Sequence, residues 1–153
     1  MDNCKHMSTP LSLNHSLYND PKQITEDDHK KVEHLPFREL IGSLLYLSTR
    51  TRPDISTAVS MLSKFVARPG KNQWRDLQHL IRYIKGSENY GLSLHKGNLT
   101  NKLEAWCDAD WARDCTNRRS RTGYLITFNG NPVLWKSKLQ TSTALSTSEA
   151  DFY

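Results

Sequence analysis

Apolar side chains recur every three or four positions through the middle of the chain, and this spacing predicts three amphipathic helices joined by short links. The first helix begins near Pro36, and its inward face comprises Phe37, Leu40, Ile41, Leu44, Leu45 and Ser48. The second begins at Pro53 and ends before Pro69-Gly70, with one face formed by Ile55, Ala58, Val59, Leu62 and Val66. The third runs from about Gln73 to Lys85, with Gly86 as C-cap and an inward face of Trp74, Leu77, Ile81 and Ile84.

After the helices, the pattern changes to the alternation of a β-sheet. A strand is predicted over residues 90–95, followed by a turn at Gly97-Asn98. Alternation resumes at Leu103, and further strands are predicted over 123–128 and 132–135. Because Asn129-Gly130-Asn131 joins the last two strands with residues typical of a tight hairpin, these later strands form a three-stranded antiparallel meander.

The first 34 residues show neither pattern. They contain Pro10, Pro21, many Ser, Thr and Asn residues and a charged run over 25–31, which predicts a disordered, flexible lead. Within that run, Glu26-Asp27-Asp28 lacks the aromatic residue and apolar strands that flank a polymerase aspartate motif, so we interpret it as a solvated charge cluster. The patterns together predict an α+β fold with a lead over 1–34, a helical segment over 35–87 and a sheet-containing domain over 88–153.

The charge and the cysteines narrow the choice of partner and compartment only slightly. The formal net charge is +5, and residues 71–153 hold 12 basic against 8 acidic side chains. This excess is compatible with nucleic acid, with an acidic protein, or with a solvated surface alone. Cys4, Cys107 and Cys115 lack CxxC spacing, which argues against a zinc site or a disulfide framework and favours a reducing compartment; a Cys107–Cys115 pair stays open if the chain folds back there. No signal peptide or membrane-length apolar run is visible, so we expect a soluble, intracellular chain without a membrane partner, unless a leader was lost.

Carboxylates are concentrated near a predicted strand end and a predicted helix start. Asp108 and Asp110 close the strand that begins at Leu103, and Glu149 lies in the first turn of a helix opened by a Ser/Thr-rich turn. Mg²⁺ prefers a few carboxylate oxygens together with substrate phosphates, so this pattern is compatible with a hard-cation site.

Several segments in the same order resemble one family of proteins. CDADWARD, RRSRTGYLITFNGNPVLWKSKLQ and ALSTSEADFY resemble the start of the ribonuclease H domain in Copia-type (Ty1/Copia) retrotransposon Pol polyproteins. FRELIGSLLYLSTRTRPDISTAV and HLIRYIKGSENYGL are similar to the reverse transcriptase connection just before that domain, and MDNCKHMSTPL resembles the linker beyond the polymerase palm. The resemblance covers about residues 35–153 and implies a truncated ribonuclease H-like domain over 88–153.

The resemblance implies roles for the three carboxylates. Asp108 matches the first metal-binding aspartate of the ribonuclease H fold, Glu149 matches its helix glutamate, and Asp110 is a further candidate ligand. In such a site, two Mg²⁺ ions activate water and stabilise the leaving oxygen during phosphodiester cleavage. Other interpretations stay open, because Ser146-Thr147-Ser148-Glu149 fits a capping box and Asp108 fits an ordinary strand-end aspartate.

The family fold also requires a third carboxylate on a later strand and a fourth near the end of the domain, and neither precedes Tyr153. The polymerase site is missing as well. We therefore expect Asp108, Glu149 and Asp110 to be vestigial metal ligands, no residue to be catalytically competent, and no ribonuclease or polymerase activity by this chain alone. No cofactor is expected, Mg²⁺ being the ancestral ion.

Two groups of basic residues are candidates for nucleic-acid contacts. Arg75, Arg82 and Lys85 follow one side of the third helix together with His79, and Arg118, Arg119 and Arg121 lie in a basic segment over 113–138 with interleaved aromatic residues. Both groups suit contacts with a phosphate backbone. The alternatives are a solvated helix face for the first group and aromatic packing within the meander for the second.

These observations leave three functions: a remnant with weak affinity for an RNA/DNA hybrid, a ribonuclease H subunit completed by another chain, and a fragment reused as an interaction protein. The whole chain also resembles Copia-derived chains described as secreted RxLR effectors of oomycete plant pathogens. That resemblance implies secretion, virulence, a location in the host nucleus or cytoplasm, and suppression of plant immunity or cell death through an unidentified host protein. The sequence lacks the R-x-L-R tetrapeptide, the acidic EER run that follows it and the signal peptide of that class. We expect a non-enzymatic binding protein.

Overall fold

The computed structural model of the chain describes residues 4–13, 15–17, 20–96, 101–112, 114 and 118–152. Its elements are α1 (Glu26–Lys30), α2 (Phe37–Arg50), α3 (Ser56–Leu62), α4 (Lys71–Gly86), β1 (Leu103–Asp110), β2 (Arg121–Phe128), β3 (Asn131–Leu139) and α5 (Thr147–Phe152). Short 3₁₀ turns lie at Pro21–Gln23, Pro53–Ile55 and Ser63–Phe65. Helices together with a three-stranded antiparallel sheet confirm the predicted α+β class.

The first two predicted helices supply much of the hydrophobic core. On α2 the buried positions are Phe37, Ile41, Leu44 and Ser48, as its periodicity predicts, although Leu45 is 43% exposed. The second predicted helix divides into a 3₁₀ turn, α3 and another 3₁₀ turn. Because a 3₁₀ turn repeats every three residues, Phe65 rather than the predicted Val66 becomes fully buried.

The buried face of α4 differs from the predicted one. Leu77 is buried as expected, whereas Trp74, Ile81 and Ile84 are half-buried and pack at the margin of the core. The buried positions also include the polar Gln73 and Asp76 together with Leu80 and Tyr83. These polar positions tolerate burial because both bond Ser16 of the lead. Gly86 lies inside the helix, and the C-cap is Ser87.

Several described residues of the lead pack against the helices, which differs from the expected disordered segment. Leu17 is fully buried in the core, and both the backbone N–H and the hydroxyl of Ser16 donate to Asp76 Oδ2, at 3.0 and 2.7 Å. Farther along, Arg68 pairs with Glu26 at 2.7 Å, and Thr25 caps the acidic first turn of α1. A few well-placed anchors therefore decide the packing of a segment whose average composition is polar. The division of the chain at residues 34 and 87 stays a prediction.

The sheet has the order β1-β2-β3, and both pairs are antiparallel. Asn129 and Gly130 have φ values of 49° and 77°, and Phe128 pairs with Asn131, so the predicted hairpin is a tight two-residue turn with left-handed backbone. The predicted meander is thus confirmed, with β2 and β3 longer than expected. The register shifts between Ile126 and Thr127, where Thr127 pairs with Pro132, a residue that has no N–H to donate.

The strand predicted over residues 90–95 is not formed; this stretch is irregular. His95 N donates to Asn131 Oδ1 at 2.6 Å, and Asn131 Nδ2 donates to His95 O at 3.0 Å. Because a single side chain satisfies both backbone groups of His95, this residue needs no β-ladder. The predicted turn at Gly97-Asn98 lies outside the described residues.

One face of the sheet docks on the helices. Trp135 Nε1 donates to Ser48 O at 2.7 Å, and Thr57 Oγ1 donates to Ser137 Oγ at 3.1 Å. Lys64 Nζ also pairs with the buried Asp114 at 2.6 Å, just after β1. Since Trp135 and Ser137 are two residues apart on β3, they share a face, and that face is the one directed at α2 and α3.

Candidate functional site

Two predicted metal ligands, Asp108 and Asp110, lie at the C-terminal end of β1. Asp108 pairs with Gly123 and Asp110 with Arg121 across the β1–β2 ladder. Because side chains alternate along a strand, both aspartates share a face with Trp106, and this is the face that docks on the helices. Asp108 is exposed, whereas Asp110 is half-buried.

An open cavity of about 560 Å³, which we call the α3–sheet groove, lies between α3 and this face. Its lining is mainly apolar and includes Pro53, Trp106, Leu125, Pro132 and Trp135, with Asp108 and Asp110 among its polar residues. A Cβ added at Gly123 would meet only Asp108 O, at 3.9 Å. The glycine opposite Asp108 thus leaves space beside that carboxylate.

The third predicted ligand, Glu149, is used in the N-terminal cap of α5. Glu149 N donates to Ser146 Oγ at 3.1 Å, while Leu145 N donates to Glu149 Oε2 at 2.7 Å. This reciprocal pattern resembles the capping box, one of the two interpretations that the sequence left open.

The anchor of α5 lies on the opposite face of the sheet from Asp108. Gln140 Nε2 donates to Ala150 O at 2.6 Å and to Thr122 Oγ1 at 2.8 Å. Thr122 alternates with Gly123 on β2 and therefore projects away from the face of Asp108. Within the described residues, no group of three or more His, Cys, Asp or Glu side chains is arranged to hold a metal ion.

The predicted nucleic-acid residues near the sheet lie around the β1–β2 connection. Arg118 is exposed and Arg119 is half-buried. Arg121 Nη1 donates to Ser60 Oγ at 2.9 Å and lies 3.5 Å from Ser137 Oγ. The guanidinium of Arg121 therefore joins β2 to α3, a structural role that the sequence did not reveal.

The basic residues of α4 lie beside the lead. Arg75 is exposed, while Arg82 and Lys85 are half-buried. Arg82 Nη2 contacts Met7 Sδ at 3.3 Å, and His79 Nε2 donates to Thr9 O at 2.9 Å. The helix face that the sequence presents as a solvated stripe is thus partly covered by residues of the lead.

A buried polar network between α4 and the start of α3 was missed by the sequence reasoning. Arg52 is 4% exposed, and its guanidinium binds Asp54 through Nε–Oδ1 and Nη2–Oδ2 at 2.9 and 2.7 Å. The same group donates to Ser87 O and Ser87 Oγ at 3.0 and 2.7 Å, and Tyr83 Oη donates to Asp54 Oδ2 at 2.8 Å. The signal available in the sequence was an oppositely charged pair flanking the helix-starting Pro53.

The charges of this network stabilise one another. Burial favours the neutral form of Asp54, but hydrogen bonds from Arg52 and Tyr83 outweigh it, so the pKa of Asp54 lies below its ordinary value. The hydrogen bond to Asp54 raises the pKa of Arg52. Burial, followed by the bond to Asp54, raises the pKa of Tyr83. The network therefore holds an ion pair and a neutral tyrosine at neutral pH.

Comparisons with known proteins relate the chain to transposon Pol polyproteins and to an effector protein. The chain is 40% identical over 152 residues to the retrovirus-related Pol polyprotein from transposon TNT 1-94 of Nicotiana tabacum. This match covers 99% of the chain and 11% of that polyprotein. It is 39% identical over 121 residues to the secreted RxLR effector protein 161 of Plasmopara viticola, covering 79% of the chain and 84% of the effector. It is also 36% identical to the Pol polyprotein from transposon RE1 of Arabidopsis thaliana, over 99% of the chain and 10% of the polyprotein.

The chain belongs to the family of Copia-type retrotransposon Pol polyproteins and their derivatives. The effector protein 161 is a relative that the chain matches over most of the length of both proteins. It spans about a tenth of the length of the transposon polyproteins named above. No protein-family model matches the chain. No solved structure matches it either, and the ribonuclease H-like assignment of residues 88–153 stays a prediction. Among the described helices, none combines the length and apolar character that a membrane span requires.

Proposed function

We propose that this chain acts as a non-enzymatic binding protein whose binding surface is the α3–sheet groove. The observation that supports this proposal is the use of the Glu149 carboxylate in the cap of α5. Two-metal cleavage of a phosphodiester requires several carboxylates around the ions. With Glu149 engaged by the backbone, the described lining of the groove contains two carboxylates, the exposed Asp108 and the half-buried Asp110, and two carboxylates do not fix a pair of ions.

The chemistry of the groove favours a protein partner over a nucleic acid. Trp106, Leu125 and Trp135 offer apolar and aromatic surface, and Trp106 is 52% exposed. Aromatic side chains are enriched at the centres of protein interfaces. The acidic Asp108 and Asp110 are balanced by the basic Arg121 and Lys136 in the lining, so the apolar and aromatic surface, rather than the net charge, favours a protein partner. A peptide segment with apolar residues fits this surface.

The relation to the secreted RxLR effector protein 161 extends this proposal to a biological role. We infer that the chain serves as a secreted effector that binds a host protein in the plant nucleus or cytoplasm and reduces immunity or cell death. Expression in plant cells should then weaken a cell-death response. Replacing Trp106 by Ala should abolish the effect, whereas replacing Tyr46, which is 68% exposed on α2, should not. Unchanged cell death at confirmed accumulation of the chain contradicts the effector role.

The absence of catalysis is tested with a labelled RNA/DNA hybrid and Mg²⁺. We expect no cleavage by the purified chain. Mg²⁺-dependent cleavage that disappears in Asp108→Asn would overturn the non-enzymatic proposal. Asp151→Asn is the matched control, because Asp151 is an exposed carboxylate on α5.

A ribonuclease H subunit completed by another chain is the second candidate function. The observation that favours it is the exposure of Asp108 beside the open space at Gly123, where a metal ion and a further carboxylate have room to approach. Under this alternative, cleavage appears only when a second chain is added. A remnant that merely binds nucleic acid instead shifts the mobility of the hybrid, with an affinity that falls steeply with salt.

A further inference from the structure

A second cavity, of about 380 Å³, lies between α4 and the lead, and we call it the lead pocket. Unlike the α3–sheet groove, it is lined mainly by polar side chains. Those with hydrogen-bond donors for a ligand are Ser12, Asn72, Arg75 and Arg82. Arg75, His79 and Arg82 are spaced i, i+4 and i+7, so they follow one side of α4.

Arg82 has donors that the protein does not use well. Among the described residues, its Nε is buried without a hydrogen-bond partner. Its Nη2 is 3.3 Å from the thioether sulfur of Met7, a weak acceptor. A buried guanidinium N–H without an oxygen acceptor is costly, and such a group calls for a bound water or ion as its explanation.

The remaining polar groups of the lead pocket are already oriented by the lead. His79 donates Nε2–H to Thr9 O at 2.9 Å, which fixes its ring in the wall. Among the described residues that line the pocket, Asp76 is the acidic one, and its Oδ2 accepts from both N and Oγ of Ser16. The described lining therefore carries two guanidinium groups and one carboxylate, and that carboxylate is hydrogen-bonded to the lead. The net charge of these side chains is positive.

We propose that the lead pocket binds a phosphate group, held mainly by Arg75 and Arg82. The planar guanidinium presents paired donors that match the oxygens of a phosphate, and such charge-assisted bonds are stronger than neutral ones. The Asn72 amide and the Ser12 hydroxyl supply further donors at the same cavity. This site is separate from the α3–sheet groove and does not depend on the proposed function.

Isothermal titration of the full chain with inorganic phosphate at fixed ionic strength tests the site. We expect saturable binding of one phosphate per chain. Arg75→Gln and Arg82→Gln should each weaken it by about tenfold or more, the loss expected for a hydrogen bond to a charged group. Arg38→Gln is the control, because Arg38 is an exposed arginine on α2 outside the pocket and the same charge is removed.

Absence of saturable binding in the wild-type chain overturns the proposal, as does equal binding by wild type, Arg75→Gln and Arg82→Gln. If circular dichroism shows that Arg82→Gln is unfolded, the phosphate affinity of Arg75→Gln alone tests the proposal, because Arg75 is exposed and its replacement should not disturb folding. Competition with a nucleoside monophosphate then identifies the source: displacement of inorganic phosphate assigns the site to phosphate esters as well, and no displacement restricts it to the free ion.

Discussion

Replacing Arg52 by Met tests the contribution of the buried network to stability. The substitution keeps an aliphatic stem but removes the guanidinium that joins Asp54 to Ser87. Truncating one partner of a buried ion pair costs about 3–5 kcal/mol, because the other charge is left unpaired. The Asp54 side chain is 31% exposed, so water recovers part of that loss. We therefore expect the free energy of unfolding to fall by about 3 kcal/mol, equivalent to a decrease in Tm of roughly 6–12 °C for a chain of this size.

Urea unfolding followed by tryptophan fluorescence measures this change. Arg50→Met is the matched control: Arg50 is an exposed residue at the end of α2 whose guanidinium lies 5.6 Å from the Tyr46 ring centre. We expect it to lose less than about 0.5 kcal/mol. The double variant Arg52→Met/Asp54→Asn should cost less than the sum of the single variants, because both remove the same pair.

A loss below about 1 kcal/mol in Arg52→Met would refute this reasoning, because a surface pair contributes that much. Strictly additive effects of Arg52→Met and Asp54→Asn would also refute it, since additivity means that the two side chains do not interact in the folded protein.

Two further predictions concern the lead and acid stability. Leu17→Ala should destabilise the chain by about 2–5 kcal/mol because it empties a fully buried site, whereas Leu13→Ala, at a fully exposed position, should have little effect; urea unfolding of both checks this. The lowered pKa of Asp54 predicts that its stabilising contribution is complete above the ordinary Asp pKa of about 3.9 and is lost as pH falls through the folded-state value. Urea unfolding between pH 6 and 2, roughly the acid range of carboxyl titration, should therefore show a steeper decline for wild type than for Asp54→Asn. Equal slopes would contradict the assignment.

Most of the secondary structure could be predicted from local sequence because local rules decide it. The periodicity of α2 placed Phe37, Ile41 and Leu44 on the buried face, and Asn129-Gly130 specified the hairpin through left-handed backbone that few other residues adopt. The strand expected over residues 90–95 was wrong because alternation alone does not supply a pairing partner, and Asn131 takes the backbone groups of His95 instead.

The candidate site was likewise predicted in part from the sequence. The sequence predicted that Asp108 and Asp110 close β1, and the strand geometry places them on one face. It left open whether Glu149 binds metal or caps a helix, because both roles use the same residue at the same spacing. The Leu145–Glu149 contact is a capping interaction, whereas the role of these carboxylates as vestigial metal ligands stays a prediction.

By itself, the sequence determined the α+β class, the order of α2, α3 and α4 before the three-stranded meander, and the membership of the Copia-type Pol family, since these follow from periodicity, turn residues and matched segments. Only the tertiary structure decided which polar residues are buried. Arg52 and Asp76 are charged residues that composition places at the surface, yet each is buried because partners from distant positions, Ser87 and Ser16, meet its hydrogen-bonding groups. Burial of a charge depends on partners in space, and a one-dimensional pattern does not record them.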